Sequence, residues 1–440
     1  MSSKQTRPRL LQAMLDAFSL PDLRRRILTT FGILVVFRLV AHVTLPGVNV
    51  QALDELFSSN AMLGMFDFFS GGAMRNFSVV ALGVYPYITA TIVMQLMTPV
   101  IPRLQALARE GETGRNRINM ITHWLTVPMA GFGGYGQIML LQREGAVASA
   151  ALLSTVAMVL AIVAGTMFLV WLGEQITQYG IGNGISIIIF AGIVAGLPEM
   201  LGRGVMTVEQ GPPWGLIFFS IIGLATTVII VIFTEAHRRI PVQYAKSVFR
   251  SGRMYRQSGS TYIPLRVNTA GMIPLIFAMA LVLFPGMVAS YFANPVGADP
   301  NLANQIVNLF SPDAALPMGF FYWGVFFFMV VGFAFFYTMV IFQQQDLPGV
   351  LQRQGGFVPG IRPGKQTASY LNGVINHITW AGALFLAGVA IMPFMAREVT
   401  NVQMIQLSSF GMLIVVGVVL DTMKQMEAQL TMRRYEGFIK

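Results

Sequence analysis

The chain has 440 residues, 55% of them hydrophobic and only 11% charged, whereas an ordinary soluble domain carries roughly 25% charged residues. So few charges cannot cover the water-facing surface of a soluble fold this long, and the composition excludes an ordinary soluble enzyme in favour of helices that face lipid. With no cysteine and four histidines (His42, His123, His237 and His377) far apart in sequence, there is no disulfide, thiol or metal-ligand pattern, and no catalytic residue, metal or cofactor is expected.

Residues 1–26 come first. Leu10, Leu11, Met14, Leu15 and Phe18 share one helical face beside Lys4, Arg7 and Arg9, which reads as an amphipathic helix on the inner membrane surface; a disordered basic tail is the alternative. No cleavable signal peptide is evident ahead of the first apolar run. Apolar stretches near the ~20 residues needed to cross a bilayer then fall at 27–45, 76–99, 118–141, 149–172, 183–201, 213–234, 268–291, 319–342, 371–394 and 404–423. Backbone polar groups in lipid must be satisfied within the segment, so spans of this length are helices.

Between the first two spans, residues 61–72 are strongly apolar, too short to cross, and end in Gly71 and Gly72, which permit a sharp turn. This reads as a re-entrant element, with an amphipathic surface helix as the alternative. Asp67 places a charge inside it that the sequence does not explain. Span two contains Gly83, Pro86, Ile88 and Ala90, and span seven contains Gly271, Pro274, Ile276 and Ala278, both in the pattern G-x-x-P-x-I-x-A. Each proline removes a backbone donor and is expected to loosen its helix.

Two long polar segments carry the remaining chemistry. In 235–267, Arg238, Arg239, Lys246, Arg250, Arg253, Arg256 and Arg266 alternate with Tyr244, Tyr255 and Tyr262, a cluster able to grip nucleic-acid phosphates or acidic protein surfaces as well as anionic lipid. In 343–370, Arg362 lies between Gly360 and Pro363-Gly364, a turn that presents a guanidinium outward. The run Gly360–Gln366 fails the phosphate-loop pattern at both ends, so energy for any transport comes from a partner.

Charge sets the topology. With the N-terminus in the cytoplasm, 24 of the 29 Lys and Arg fall on the cytoplasmic side, four (Arg75, Arg143, Arg203 and Arg397) fall opposite, and Arg38 lies within span one. That bias puts both termini inside and requires an even number of spans. Ten spans divide into five and five, and because five is odd the second half enters the membrane inverted, with the functional site between the halves. The expected organisation is a surface segment 1–26, a first half 27–201, a second half 213–423 and a cytoplasmic tail 424–440.

Several motifs then carry a resemblance. Ser70–Gly72 followed by Ala81–Ile88, the run Tyr179–Gly192, Arg238–Ala245, Gly356–Gly364 and Tyr435–Phe438 are similar, in order, to the SecY family of protein-translocation channels. The resemblance implies an all-α polytopic membrane protein of ten transmembrane helices, in two inverted five-helix halves around an hourglass pore, in the bacterial plasma membrane. It places a pore ring on Val84, Ile88, Ile185, Ile189, Ile276 and Ile414, with Val84 smaller than the isoleucine common there. It places a plug on Met65, Phe66, Asp67, Phe68, Phe69, Ser70, Gly71 and Gly72, and a lateral gate on Pro86, Gln95, Pro274 and Ile276. Arg238, Arg239, Lys246, Arg250, Arg253, Arg256 and Arg362 become docking residues for the motor SecA or the ribosome. The implied partners also include SecE, SecG, preproteins with signal sequences and membrane lipid. A branched apolar neck blocks ions by dewetting and offers a passing chain no hydrogen bonds. The alternative is a secondary transporter, which also uses inverted repeats but usually buries ionisable groups within its spans; here only Arg38 sits clearly inside a span, with no acidic partner well inside another.

Overall fold

The computed structural model describes residues 20–59, 67, 70–148, 152–209, 214–250, 253–294, 299–311, 318–400 and 405–436. In chain order the elements are α1 (Pro21–Val40), α2 (Val50–Ser59), α3 (Tyr85–Val100), α4 (Pro102–Arg109), α5 (Glu112–Arg143), α6 (Leu152–Tyr179), α7 (Gly184–Glu209) and α8 (Trp214–Glu235). Strands β1 (His237–Arg250) and β2 (Arg253–Arg266) follow, then α9 (Ile273–Ser290), α10 (Leu302–Leu309), α11 (Met318–Gln345), α12 (Leu347–Arg353), β3 (Gly356–Phe357), α13 (Lys365–Thr400) and α14 (Ile405–Glu436). The ten long helices α1, α3, α5 to α9, α11, α13 and α14 overlap the ten apolar stretches. Among the described residues four helical stretches are long and apolar enough to cross a membrane: Leu152–Tyr179, Ile273–Ser290, Met318–Arg353 and Lys365–Met392. The surface segment expected over 1–26 lies outside the described residues except at its end, where Pro21 opens α1 in the first-turn position that proline tolerates.

The helices and the apolar stretches differ at their ends for a physical reason. Once its backbone ladder is running, a helix continues into polar sequence, so α5 begins at Glu112 and α14 continues to Glu436. Span two behaves in the opposite way. Its apolar run starts near 76, but Phe77 and Gly83 have φ of 40° and 56°, which breaks the ladder until Tyr85.

The prolines of the repeated pattern do not loosen their helices. Pro86 and Pro274 are each the second residue of a helix, α3 and α9, where the missing N–H has no intrahelical partner to lose. Gly83 and Gly271, two residues ahead of each helix, take φ of 56° and 66°, the left-handed region that glycine enters without penalty. The shared pattern is therefore a helix start.

The chain divides into two compact units, Met1–Leu216 with Ala280–Tyr322 and Ile414–Lys440, and Ile217–Met279 with Trp323–Leu413. One core of the first unit joins Leu45, Leu53, Phe77, Leu82, Ile138, Leu141 and Ile162. Small residues let its helices close up: a Cβ on Gly134 of α5 would stand 3.2 Å from Ile162 of α6, the kind of contact on which helix packing in lipid depends. In the second unit β1 and β2 form an antiparallel hairpin, with His237 opposite Arg266 and Arg250 opposite Arg253. Strands of 14 residues reach about 45 Å at roughly 3.3 Å per residue. An isolated hairpin is marginal in water. Here Ile240, Val242 and Leu265 are buried against Leu351, Val358 and Leu371, each contributing about 1.5–3 kcal/mol by burial.

Candidate functional site

The site begins with the turn at the end of the apolar segment 61–72. Met65, Phe66, Phe68 and Phe69 lie outside the described residues; Asp67 and Ser70–Gly72 are placed. Asp67 is the hub of the turn. Its backbone carbonyl accepts from the Gly72 amide (3.0 Å) and the Ser70 hydroxyl (2.9 Å). One carboxylate oxygen accepts from the Arg75 amide (3.2 Å), and the other lies 3.1 Å from the Arg75 guanidinium. The Ser70 hydroxyl in turn accepts from the Met74 amide at 3.0 Å. Burial pushes the Asp67 carboxyl above its usual range, while the Arg75 charge and the surrounding donors pull it the other way. The charge that the sequence leaves unexplained thus folds a buried turn on itself.

Three elements hold this turn. Arg38, in the last turns of α1, donates from Nη1 to the Gly71 carbonyl at 2.6 Å. The chain leaving α1 pairs with the chain leaving the turn, Leu45 N to Phe77 O at 3.1 Å and Val79 N to Val43 O at 3.0 Å. On the far side Gly71, at φ 68°, lies so close to α7 that a Cβ on it would stand 2.7 Å from the Gly192 Cα. Ile185, Ile189 and Gly192 recur at i, i+4 and i+7, one face of a helix, so the turn rests on the α7 face that carries two of the expected ring residues. The start of α7 is itself tightly built: Gly184 N donates to Thr177 Oγ1 at 2.9 Å and Ile181 N to Thr30 Oγ1 at 3.1 Å. A Cβ on Gly173 of α6 would meet the Ile185 Cδ1 at 2.6 Å.

The other expected ring residues are placed as follows. Val84 is the buried residue just ahead of α3, Ile88 is buried one turn into it, Ile276 is buried in the first turn of α9, and Ile414 is buried in α14. Of the gate residues, Pro86 and Pro274 are buried and Gln95 is half-buried on α3. The Tyr85 hydroxyl donates to the Ala280 carbonyl of α9 at 3.0 Å.

Of the expected docking residues, Arg238, Arg239, Lys246, Arg250, Arg253 and Arg256 lie on β1 and β2. The Arg239 guanidinium sits 4.9 Å from the centre of the Tyr262 ring, a cation–π contact that fixes it at the hairpin base. The second loop joins the same sheet: β3 pairs Phe357 with Gln243 and Gly356 with Tyr244. Beyond β3, Gly360 and Gly364 take φ of 83° and 98°. The Ile361 side chain packs into the hairpin-base core while Arg362 is exposed.

Two features escape sequence reading. Arg75 and Gly192 have functional neighbours only in three dimensions, and no spacing reports them. The other is a contact made past the end of an apolar stretch. Because α6 runs past 172 to Tyr179, Glu174 falls within it, 3.1 Å from Nε2 of His123 on α5, and Tyr87 stacks on that imidazole at 5.7 Å.

Long apolar helices, a buried turn seated on a helix face lined with isoleucine, and a long basic hairpin define a multi-pass helical membrane channel. A SecY family model matches residues 78–423. The chain is 40% identical to the protein translocase subunit SecY of Streptomyces scabiei over 98% of this chain and all of that one. Its fold resembles two solved structures, each covered over 97% of both chains. One is a SecY protein whose plug domain is described as stabilising the closed state of the translocation channel and maintaining a membrane seal (17% identity, TM-score 0.64). The other is Sec61 in the canine ribosome–channel complex from the endoplasmic reticulum (18% identity, TM-score 0.60). This chain belongs to the SecY family.

Proposed function

We infer that this chain is the channel-forming subunit of a protein translocase. It is a passive pore through which unfolded preproteins cross a bacterial plasma membrane and from which apolar segments leave sideways into lipid. Ten spans form two inverted five-helix halves, with both termini in the cytoplasm. Val84, Ile88, Ile185, Ile189, Ile276 and Ile414 line the neck, and residues 61–72 plug it from the outer side. The observation that carries this reading is the seat of the Gly71 turn on the α7 face that bears Ile185 and Ile189. A re-entering backbone survives at membrane depth only where protein or a water-filled cavity surrounds it, and this turn is buried and internally hydrogen-bonded.

Spans two and seven serve as the lateral gate. They begin with the same pattern, and the hydrogen bond from Tyr85 to Ala280 supports their contact. A signal sequence is itself an apolar helix and leaves by intercalating between them. The basic hairpin and the exposed Arg362 turn take the motor, SecA or the ribosome; the Sec61 relative is itself described in a ribosome–channel complex. SecE and SecG complete the complex. The transporter alternative gives way to family membership over nearly the whole chain.

The test is a cross-link. Cysteines introduced singly at Ile88 and Ile276 should trap a stalled secretory chain during translocation and a signal peptide at its start. Failure of both positions to capture either would remove the channel assignment from these helices.

A further inference from the structure

The charge that the sequence leaves inside span one and the charge it leaves inside the apolar segment meet at the same turn. Asp67 spends its carboxylate on Arg75 and Ser70, within the turn. Among the described residues Arg38 instead donates to a neutral acceptor, the Gly71 carbonyl, at 2.6 Å. Opposite it, Gly71 and Gly192 meet backbone to backbone, and a Cβ on Gly71 would also crowd the Phe37 ring at 3.1 Å. The turn is clasped between a guanidinium from α1 and a bare backbone patch on α7.

We propose that Arg38 is a positioning residue, a releasable latch that holds the plug turn in its seat against Gly192. The proposal rests on the plug reading given above. Its chemistry suits a part that must both stay and leave. Breaking a buried ion pair strands a charge and is strongly unfavourable. A charge-assisted hydrogen bond to a carbonyl is stronger than a neutral one, yet gives up much less when it opens. Sequestering Asp67 with Arg75 keeps Arg38 from forming the stronger, slower bond. The two glycines remove any interlocking side chain, so the turn lifts off α7 without a rotamer having to clear.

The chain contains no native cysteine, so Ala73→Cys supplies a single thiol at a position that is fully buried in the seated turn. The translocase complex is reconstituted in vesicles at equal abundance for each variant, and two quantities are measured: alkylation of that thiol by a membrane-impermeant maleimide, and basal ion conductance. Arg38→Gln should speed alkylation about tenfold, the scale of one lost charge-assisted hydrogen bond, and raise conductance. Arg38→Lys, which keeps a charged donor, should fall between. Gly192→Ala should speed alkylation with Arg38 intact, because it pushes on the turn from the other side. Wild-type alkylation in both Arg38→Gln and Gly192→Ala overturns the latch. Deleting residues 61–72 tests the plug reading separately: if that deletion leaves conductance unchanged while Arg38→Gln still speeds alkylation, the latch stands and the turn is not the seal.

Discussion

Gly83–Ala90 and Gly271–Ala278 start two long helices in the same way, yet what stands before each differs. In both, a glycine at positive φ turns the chain, a proline fills the second helical position and an isoleucine is buried two residues later. Ahead of the first lie buried turns: the Gly83 amide bonds the Val80 carbonyl at 2.8 Å, and Phe77, Ser78, Val80, Ala81 and Leu82 are all buried. Ahead of the second comes the basic hairpin, and a Cβ on Gly271 would meet nothing within 4 Å. Eight residues are enough to write a helix start. Whether that start follows a buried turn or a basic hairpin is written in the segment that feeds it.

This contrast predicts a double dissociation. Deleting 61–72, which feeds the first start, should raise basal ion conductance by an order of magnitude or more, about 1.4 kcal/mol per tenfold change, while motor-driven export persists. Arg362→Glu, in the turn beyond β3 that packs on the base of the hairpin feeding the second, should do the reverse: conductance stays low and ATP-driven export falls severalfold. If both changes move the same quantity, the two segments do not divide the work.

Matched substitutions at the two buried isoleucines come next in size. Ile88→Asn and Ile276→Asn each place a polar group in the proposed neck and should favour a hydrated, open state by about 1–2 kcal/mol, the scale of many single substitutions. Export of a substrate with a crippled signal peptide should then improve by roughly tenfold at equal protein abundance. Improvement with one variant alone would confine the neck to one of the two helices.

The glycines should separate by packing. Gly271→Ala meets open space, so it should lose only the backbone strain of a left-handed residue, about 1–2 kcal/mol. Gly83 is buried, so Gly83→Ala should lose more; thermal denaturation of the purified complex reads the difference. Equal losses would show that the packing around Gly83 adds nothing. The smallest effect belongs to the prolines. Pro86→Ala and Pro274→Ala should each change stability by less than about 1 kcal/mol, since a first-turn proline has no hydrogen bond to give up. A large loss of export from either would restore the expectation that they loosen their helices.

Much of the frame was legible in one dimension because hydropathy and charge bias are one-dimensional signals. Alternate loops carry the Lys and Arg, and apolar runs mark where helices meet lipid. The G-x-x-P pattern was visible too, but its role was misread, because a proline in an apolar run looks the same whether it sits in mid-helix or in the first turn. Asp67 and Arg38 stood out as misplaced charges. Their partners did not, since Arg38 reaches across 33 residues to Gly71 and Gly71 meets Gly192 only after α7 has packed beside the turn. Contacts of that kind depend on tertiary arrangement and leave no periodic trace. Glu174 was missed for a simpler reason: hydropathy marks the apolar part of α6 and stops before its last turns.

Gly356 and Phe357 add only two rungs to the hairpin, yet they turn two loops into one bracket. The Arg362 turn is tied through Ile361 and Val358 to the same apolar base that stiffens β1. A load on either arm is therefore shared by both, and the bracket carries it as a single lever instead of dissipating it in two flexible strips. Its stiffness depends on the smallest side chain in the joint. The Tyr244 ring would stand 2.8 Å from a Cβ on Gly356, so any larger residue there would wedge the third strand away and leave two arms that swing independently.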